Sequence, residues 1–117
     1  MNHRKLVQPE YMNEQGALFG GYLLKWLDEY AYITASIEHP GNRFVTIGLE
    51  KVEFHHPIQL GEILRFEVAE TRKGTTSVEY LVKVYGEKKA VRPDQTLFAT
   101  KITFVNLGEN GAKSPIK

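Results

Sequence analysis

Gly20-Gly21-Tyr22-Leu23-Leu24-Lys25-Trp26-Leu27-Asp28-Glu29-Tyr30-Ala31-Tyr32-Ile33-Thr34-Ala35-Ser36-Ile37 is the stretch on which the reading of this chain turns. From Tyr22 to about Ile37 it is predicted to form a helix of about four turns, entered through Gly20-Gly21 and ended by His39-Pro40-Gly41. At about 100° per residue, Leu23, Leu24, Leu27, Ala31, Thr34 and Ala35 share one face, with Tyr22, Trp26, Tyr30, Ile33 and Ile37 beside it. Only Lys25, Glu29 and Ser36 make a clearly polar strip. Such a helix needs cover on most of its circumference, more than one sheet of a 117-residue chain supplies. A second subunit is expected to cover the rest.

Downstream the period changes to two. Phe44 to Phe54, Leu64 to Glu70, Ser77 to Tyr85 and Leu97 to Val105 read as strands, with alternation such as Val78, Tyr80, Val82, Val84. In the first, the apolar set moves from Val45, Ile47, Leu49 to Val52, Phe54, which a bulge near Glu50-Lys51 would explain. Lys5 to Val7 can add a short edge strand. Arg72-Lys73-Gly74-Thr75 reads as a hairpin turn, Pro57 to Gly61 as a loop and Gly86 to Gln95 as a longer charged loop. One long helix followed by a run of strands is an α+β pattern, a curved antiparallel sheet wrapped around a central helix. Residues 1–107 are expected to form a single domain and 108–117 a flexible tail.

Composition narrows the chemistry. Lys and Arg number 15 against 14 Asp and Glu, for a net charge of +1, so no broad basic surface for nucleic acid is expected. The absence of cysteine removes disulfides, thiol nucleophiles and thiolate metal sites, and suits a reducing compartment. The basic start Met1-Asn2-His3-Arg4-Lys5 meets Gln8, Pro9 and Glu10 instead of an apolar signal core, and Ala17 to Leu27 is too short to span a bilayer. A cytoplasmic protein without a membrane partner is expected.

The helix start carries the candidate chemistry. Ser, Thr, Asp or Asn usually caps the free N–H groups there, but this chain has Gly20 and Gly21, an open anion site able to hold an oxyanion developing on a carbonyl. Asp28 sits at the edge of the apolar face, placed to act as a general base on water or as a nucleophile, whereas Glu29 points to the solvated strip. About 12 Å of helix separates Gly20 from Asp28, so one helix cannot bring both to one carbonyl. Two helices side by side and antiparallel can, which puts two sites at a dimer interface. His55 and His56 are neighbours near a strand end and face opposite ways, a poor chelating pair. No Gly-x-Ser-x-Gly elbow surrounds Ser36, Ser77 or Ser114, and no Walker-type or Rossmann glycine motif occurs. The Arg72-Lys73-Gly74-Thr75-Thr76-Ser77 turn can hold a phosphate through side chains and amides, with Lys88 and Lys89 nearby.

These residues resemble the acyl-CoA hydrolase (acyl-CoA thioesterase) group of the hotdog-fold superfamily, over about Gln8 to Val105. The family pattern of Asn-x-x-Gly, Gly-Gly and a helix carrying Asp is matched by Asn13, Gly16, Gly20, Gly21 and Asp28. Val45-Thr46, Phe54-x-x-Pro57, Gly61-Glu62 and Lys73-Gly74-Thr75-Thr76-Ser77 are similar as well. The resemblance implies hydrolysis of acyl-CoA to a free acid and CoA, with no cofactor beyond the CoA of the substrate. It implies Asp28 as base or nucleophile, Asn13 of the opposing subunit positioning water or carbonyl, and a Gly20 or Gly21 amide polarising the thioester. It also implies Arg72 to Ser77 near the pantetheine arm or nucleotide phosphates, and a homodimer assembled further as a trimer of dimers. Tyr32 departs from the small residues usual there and is placed to shorten the acyl pocket or bond the carboxylate. A non-catalytic acyl-CoA sensor is the alternative, and a hotdog dehydratase a third, though the latter would want a histidine paired with a carboxylate.

Overall fold

Strands form where alternate residues can reach a common core. A computed structural model of the chain describes residues 1–52, 56–87 and 96–117. Its elements are β1 (Asn2–Leu6), α1 (Gly20–Glu38), β2 (Phe44–Leu49), β3 (Ile63–Lys73), β4 (Ser77–Gly86) and β5 (Thr96–Asn106), with a short 3-10 turn at Pro9–Tyr11. The strands make one antiparallel sheet in the order β1-β3-β4-β5-β2. On β4 the buried side chains are Val78, Tyr80, Val82 and Val84, the alternation read from the sequence. They meet Leu64, Phe66 and Val68 of β3, Ile102 and Phe104 of β5, and Leu23, Trp26, Leu27, Ala31 and Ala35 of α1 in one core cluster. This is the expected α+β arrangement of the hotdog type.

Packing of α1 also orders the chain start. The His3 ring stacks on Tyr30 with centroids 4.7 Å apart, and its Nε2 lies 3.0 Å from the Thr34 hydroxyl, which donates to the Tyr30 carbonyl at 2.9 Å. Burial, then the nearby N-terminal ammonium, hold the His3 imidazole below its ordinary range. β1 therefore begins at Asn2 and pairs with β3 as far as Leu6, more of the start than the expected Lys5 to Val7.

Two expectations need correction. The bulge expected near Glu50-Lys51 lies earlier, where the β2–β5 register shifts between Thr46 and Gly48 and leaves Ile47 as the extra residue. The 108–117 segment, expected as a flexible tail, is docked on the sheet end. Its anchor is Asn106, 3% exposed, whose Oδ1 accepts from the Arg43 N–H at 2.7 Å and whose Nδ2 donates to the Pro115 and Ser114 carbonyls at 3.0 and 3.3 Å. The Ile116 N–H reaches the Thr75 carbonyl and the Lys117 N–H the Asn42 Oδ1. Expectations for Glu53 to His55, and for Lys88, Lys89 and the loop to Gln95, fall outside the described residues. Among the described residues no helix is long and apolar enough to cross a membrane.

Asn106→Ala strands one donor and two acceptors in part-buried bonds, and should cost about 1 to 3 kcal/mol in chemical denaturation. The His3 contribution has the sign of a depressed pKa. It is complete above the ordinary imidazole value of about 6.5 and shrinks as pH falls below it. Lowering pH from about 7.5 to about 5 should therefore destabilise the chain more than His3→Gln, read from thermal midpoints.

Candidate active site

α1 begins uncapped. Phe19, the residue before it, is extended and gives no side-chain acceptor. The Tyr22 N–H bonds the Phe19 carbonyl at 3.1 Å, whereas the Gly20 and Gly21 amides have no acceptor among the described residues. Those two amides meet different surroundings. Gly20 lines a cavity of about 340 Å³ with Ala17, Leu18, Leu23, His56, Pro57 and Ile58. Gly21 is exposed and lies under the Phe19 ring, close enough that a Cβ at this position would come 2.7 Å from Phe19 Cε1. Glycine at 21 thus gives the ring its seat.

The preceding loop is organised by Asn13. Its side-chain oxygen accepts from the Gln15 and Ala17 N–H groups at 2.9 and 3.1 Å, and its backbone N–H donates to the Ala17 carbonyl at 2.8 Å. Gly16 closes the turn at φ +77°, a left-handed conformation that favours glycine. The Asn13 oxygen is thus committed to the loop, and its NH₂ is the part without a partner among the described residues.

Asp28 departs from its expected surroundings. It shares an exposed stripe with Gly21, Lys25 and Tyr32, at helical spacings of four, three and four residues. The sequence put it at the margin of a buried face, but β2 is the sheet edge and no strand among the described residues lies beyond it. The Thr46 hydroxyl of β2 donates to Asp28 Oδ1 at 2.6 Å, leaving Oδ2 without a partner among the described residues. Sequence reasoning noted Thr46 only as part of a strand opening. The available signal was a hydroxyl in phase with the buried Phe44, on the strand face turned toward α1. Along the same edge Val45, Ile47 and Leu49 are exposed, as are Tyr32 and Ile37 of α1. Tyr32 makes no hydrogen bond to Asp28, and its ring lies 6.3 Å from that of Phe104.

The β3–β4 turn stands at the other end of α1. Tyr80 donates its hydroxyl to Glu38 at 2.8 Å, and burial followed by that bond pushes the phenol above its ordinary range. In the turn the Gly74 N–H bonds the Ser77 carbonyl, while Arg72, Lys73, Gly74 and Thr75 are exposed and Thr76 and Ser77 half-buried. The Thr75 and Thr76 carbonyls accept from the Ile116 and Asn106 N–H groups, each at 2.9 Å. One chain therefore places Asn13 in the loop that leads into Gly20 and Gly21, keeps Asp28 and Tyr32 about two to three turns along the helix, and holds Arg72 to Ser77 beyond its far end.

The thioesterase superfamily model matches residues 15–93. An acyl-CoA thioester hydrolase of Bacillus subtilis, itself described as uncharacterised, is 33% identical over 94% of this chain and 63% of its own length. Mouse acetyl-coenzyme A thioesterase is 31% identical over 85% of this chain and 18% of its own. The chain thus spans less than two thirds of either relative. A Staphylococcus aureus acyl-CoA hydrolase, solved with butyryl coenzyme A, coenzyme A and coenzyme A disulfide, superposes with TM-score 0.88 at 29% identity, covering 99% of this chain and 70% of that one. A hexameric broad-specificity acyl-coenzyme A thioesterase gives TM-score 0.84 at 28% identity, over 98% and 79%. The Staphylococcus enzyme has also been solved with an aspartate, an asparagine or a threonine replaced by alanine. Its aspartate and asparagine are as far apart in sequence as Asp28 and Asn13.

Replacing Asn13 by Ala removes the acceptor that closes the loop before α1. Amide exchange at Gln15 and Ala17 should quicken by about fivefold to a hundredfold, for the loss of about 1 to 3 kcal/mol locally, with core amides of β4 unchanged.

Proposed function

We propose that this chain, which belongs to the thioesterase superfamily, hydrolyses the thioester of acyl-CoA to a carboxylic acid and CoA at sites shared between two subunits. The observation that carries the reading is the open face of α1, on which an uncapped amide end and a hydrogen-bonded carboxylate stand two turns apart beside an unpaired strand edge. The coenzyme A ligands of the Staphylococcus neighbour support the substrate class, and its replaced aspartate and asparagine support the choice of Asp28 and Asn13.

Antiparallel pairing of β2 with β2 of a second copy, about a twofold axis, continues the sheet and buries Val45, Ile47 and Leu49. The same axis sets the two helices antiparallel. If it passes near Leu24, midway between Gly20 and Asp28, each Gly20 end meets Asp28 of the partner subunit. The hexameric neighbour supports further assembly as a trimer of dimers.

In the shared site the Gly20 or Gly21 N–H polarises the thioester oxygen, a contribution of about 3 to 4 kcal/mol per donor in related oxyanion sites. Asp28 of the partner subunit, held through Oδ1 by its own Thr46, takes a proton from water through Oδ2. The resulting hydroxide attacks the carbonyl carbon, and the oxyanion collapses to acid while the C–S bond breaks. The CoA thiolate then takes up the proton. As a nucleophile instead, Asp28 would form a mixed anhydride that water opens. The Asn13 NH₂ is free to orient water or carbonyl. The Arg72 to Ser77 turn, exposed at the end of α1 away from Gly20, is assigned to the phosphate-bearing part of CoA, and the chemistry calls for no metal or further cofactor. A cytoplasmic setting belongs to the same reading.

Release of free CoA from a panel of acyl-CoAs tests it. Asp28→Asn should lower kcat by about 10² or more. Equal activity in both proteins would remove Asp28 from the mechanism, and binding without release by the wild type would make the chain a sensor module. Ile47→Lys on the strand edge should give a monomer in sedimentation analysis with activity lost although every site residue is intact.

A further inference from the structure

The cavity under Gly20 has a composition that the hydrolytic step does not explain. Of its walls, Ala17, Leu18, Leu23, Pro57 and Ile58 have apolar side chains, and among the described lining residues His56 has the one polar side chain. Leu23 and Ile58 are buried, 1% and 5% exposed, and belong to the main core, so the floor is fixed by the same packing that seats α1. The far wall is tied down as well, because the Leu18 N–H bonds the Ile58 carbonyl at 2.9 Å. A cavity of about 340 Å³, open to solvent on one side and lined mainly by apolar side chains, is near the lower limit for a small-ligand site.

Its place is the second observation. Gly20, one of the two residues whose amides are proposed to hold the thioester oxygen, lines this cavity, whereas Asp28 lies on the exposed stripe of the same helix. A planar thioester with its oxygen on that amide has two substituents to place, and the sulfur arm must lead away to reach the phosphate-binding groups. The apolar substituent is left facing the cavity.

We propose that this cavity takes the acyl chain, and that its floor at the buried Leu23 and Ile58 makes the chain selective for short to medium acyl groups. Tyr32 then has no part in measuring chain length, being exposed on the other stripe of the helix and about three turns from Gly20. The inference rests on the thioester reading for the identity of its ligand, but its test does not depend on turnover.

Affinities of CoA and of its acetyl, butyryl, hexanoyl, octanoyl and dodecanoyl thioesters are measured by calorimetry in an Asp28→Asn background, the common reference for every chain length and every second substitution. Affinity should rise by up to about fourfold per methylene while the chain fits, then level off or fall. Ala17→Leu, which adds bulk at a half-buried wall, should weaken octanoyl-CoA at least tenfold, leave acetyl-CoA within about twofold, and move the optimum to shorter chains. Ile58→Ala, lengthening the floor, should move it the other way, and Tyr32→Ala should leave the profile unchanged. The same binding shift with no hydrolysis by the wild type would sink the hydrolase reading and keep the cavity assignment. Equal effects of Ala17→Leu on every chain length, or a shifted profile in Tyr32→Ala, would overturn the assignment.

Discussion

Everything in this molecule depends on how one helix is covered. α1 has 19 residues with apolar side chains on most of its circumference, and the sheet of its own chain covers one side. Leu23, Trp26, Leu27, Ala31, Thr34 and Ala35 are buried there, while Tyr32 and Ile37 stay exposed on the helix and Val45, Ile47 and Leu49 on the neighbouring edge strand. Apolar side chains left open on a helix and on an unpaired edge together form a surface that water penalises. The uncovered side of α1 is also where Asp28 stands, so association and the placement of the carboxylate are one problem.

The helix and the central strands were legible because their side chains answer to a single buried face. Val78, Tyr80, Val82 and Val84 alternate in the sequence as they do in the core, and α1 runs within two residues of its expected ends. β2 was harder to read for a physical reason. Its residues after Phe44 are exposed on both faces in one chain, so no buried side imposed a phase, and the bulge at Ile47 could not be located from apolar alternation. The docked 108–117 segment is a different case. Backbone and amide hydrogen bonds from Asn106, Thr75 and Asn42 hold most of it, and such bonds leave little trace in hydropathy.

At the site, the amide end was readable as local chemistry, because a glycine pair where a cap belongs is a departure from ordinary helix starts, whereas Asn13 entered only through the family pattern. The surroundings of Asp28 were not. Wheel geometry gives a residue's direction but not what lies in that direction, and here the answer is solvent in one chain, with Thr46 at one side. Gly20 and Gly21 likewise looked interchangeable in sequence. In the structure one lines the apolar cavity and the other supports the Phe19 ring, so a side chain at 21 must displace the ring.

The Thr46 contact bears on how an exposed carboxylate can serve as a base. A free aspartate side chain samples several rotamers and spends little time aimed at any one water. The Thr46 hydroxyl fixes Oδ1 at 2.6 Å, which restrains the torsions and leaves Oδ2 as the oxygen without a partner. In the proposed dimer that oxygen is presented to the Gly20 end of the opposite helix while water is excluded by the joined strand edges. In that dimer the hydrogen bond would supply direction and the subunit contact desolvation, and neither alone would make Asp28 a useful base. On the proposed reading, a carboxylate that is well aimed but solvated in one chain would become effective only after assembly, which would tie the chemistry of this fold to the covering of its helix.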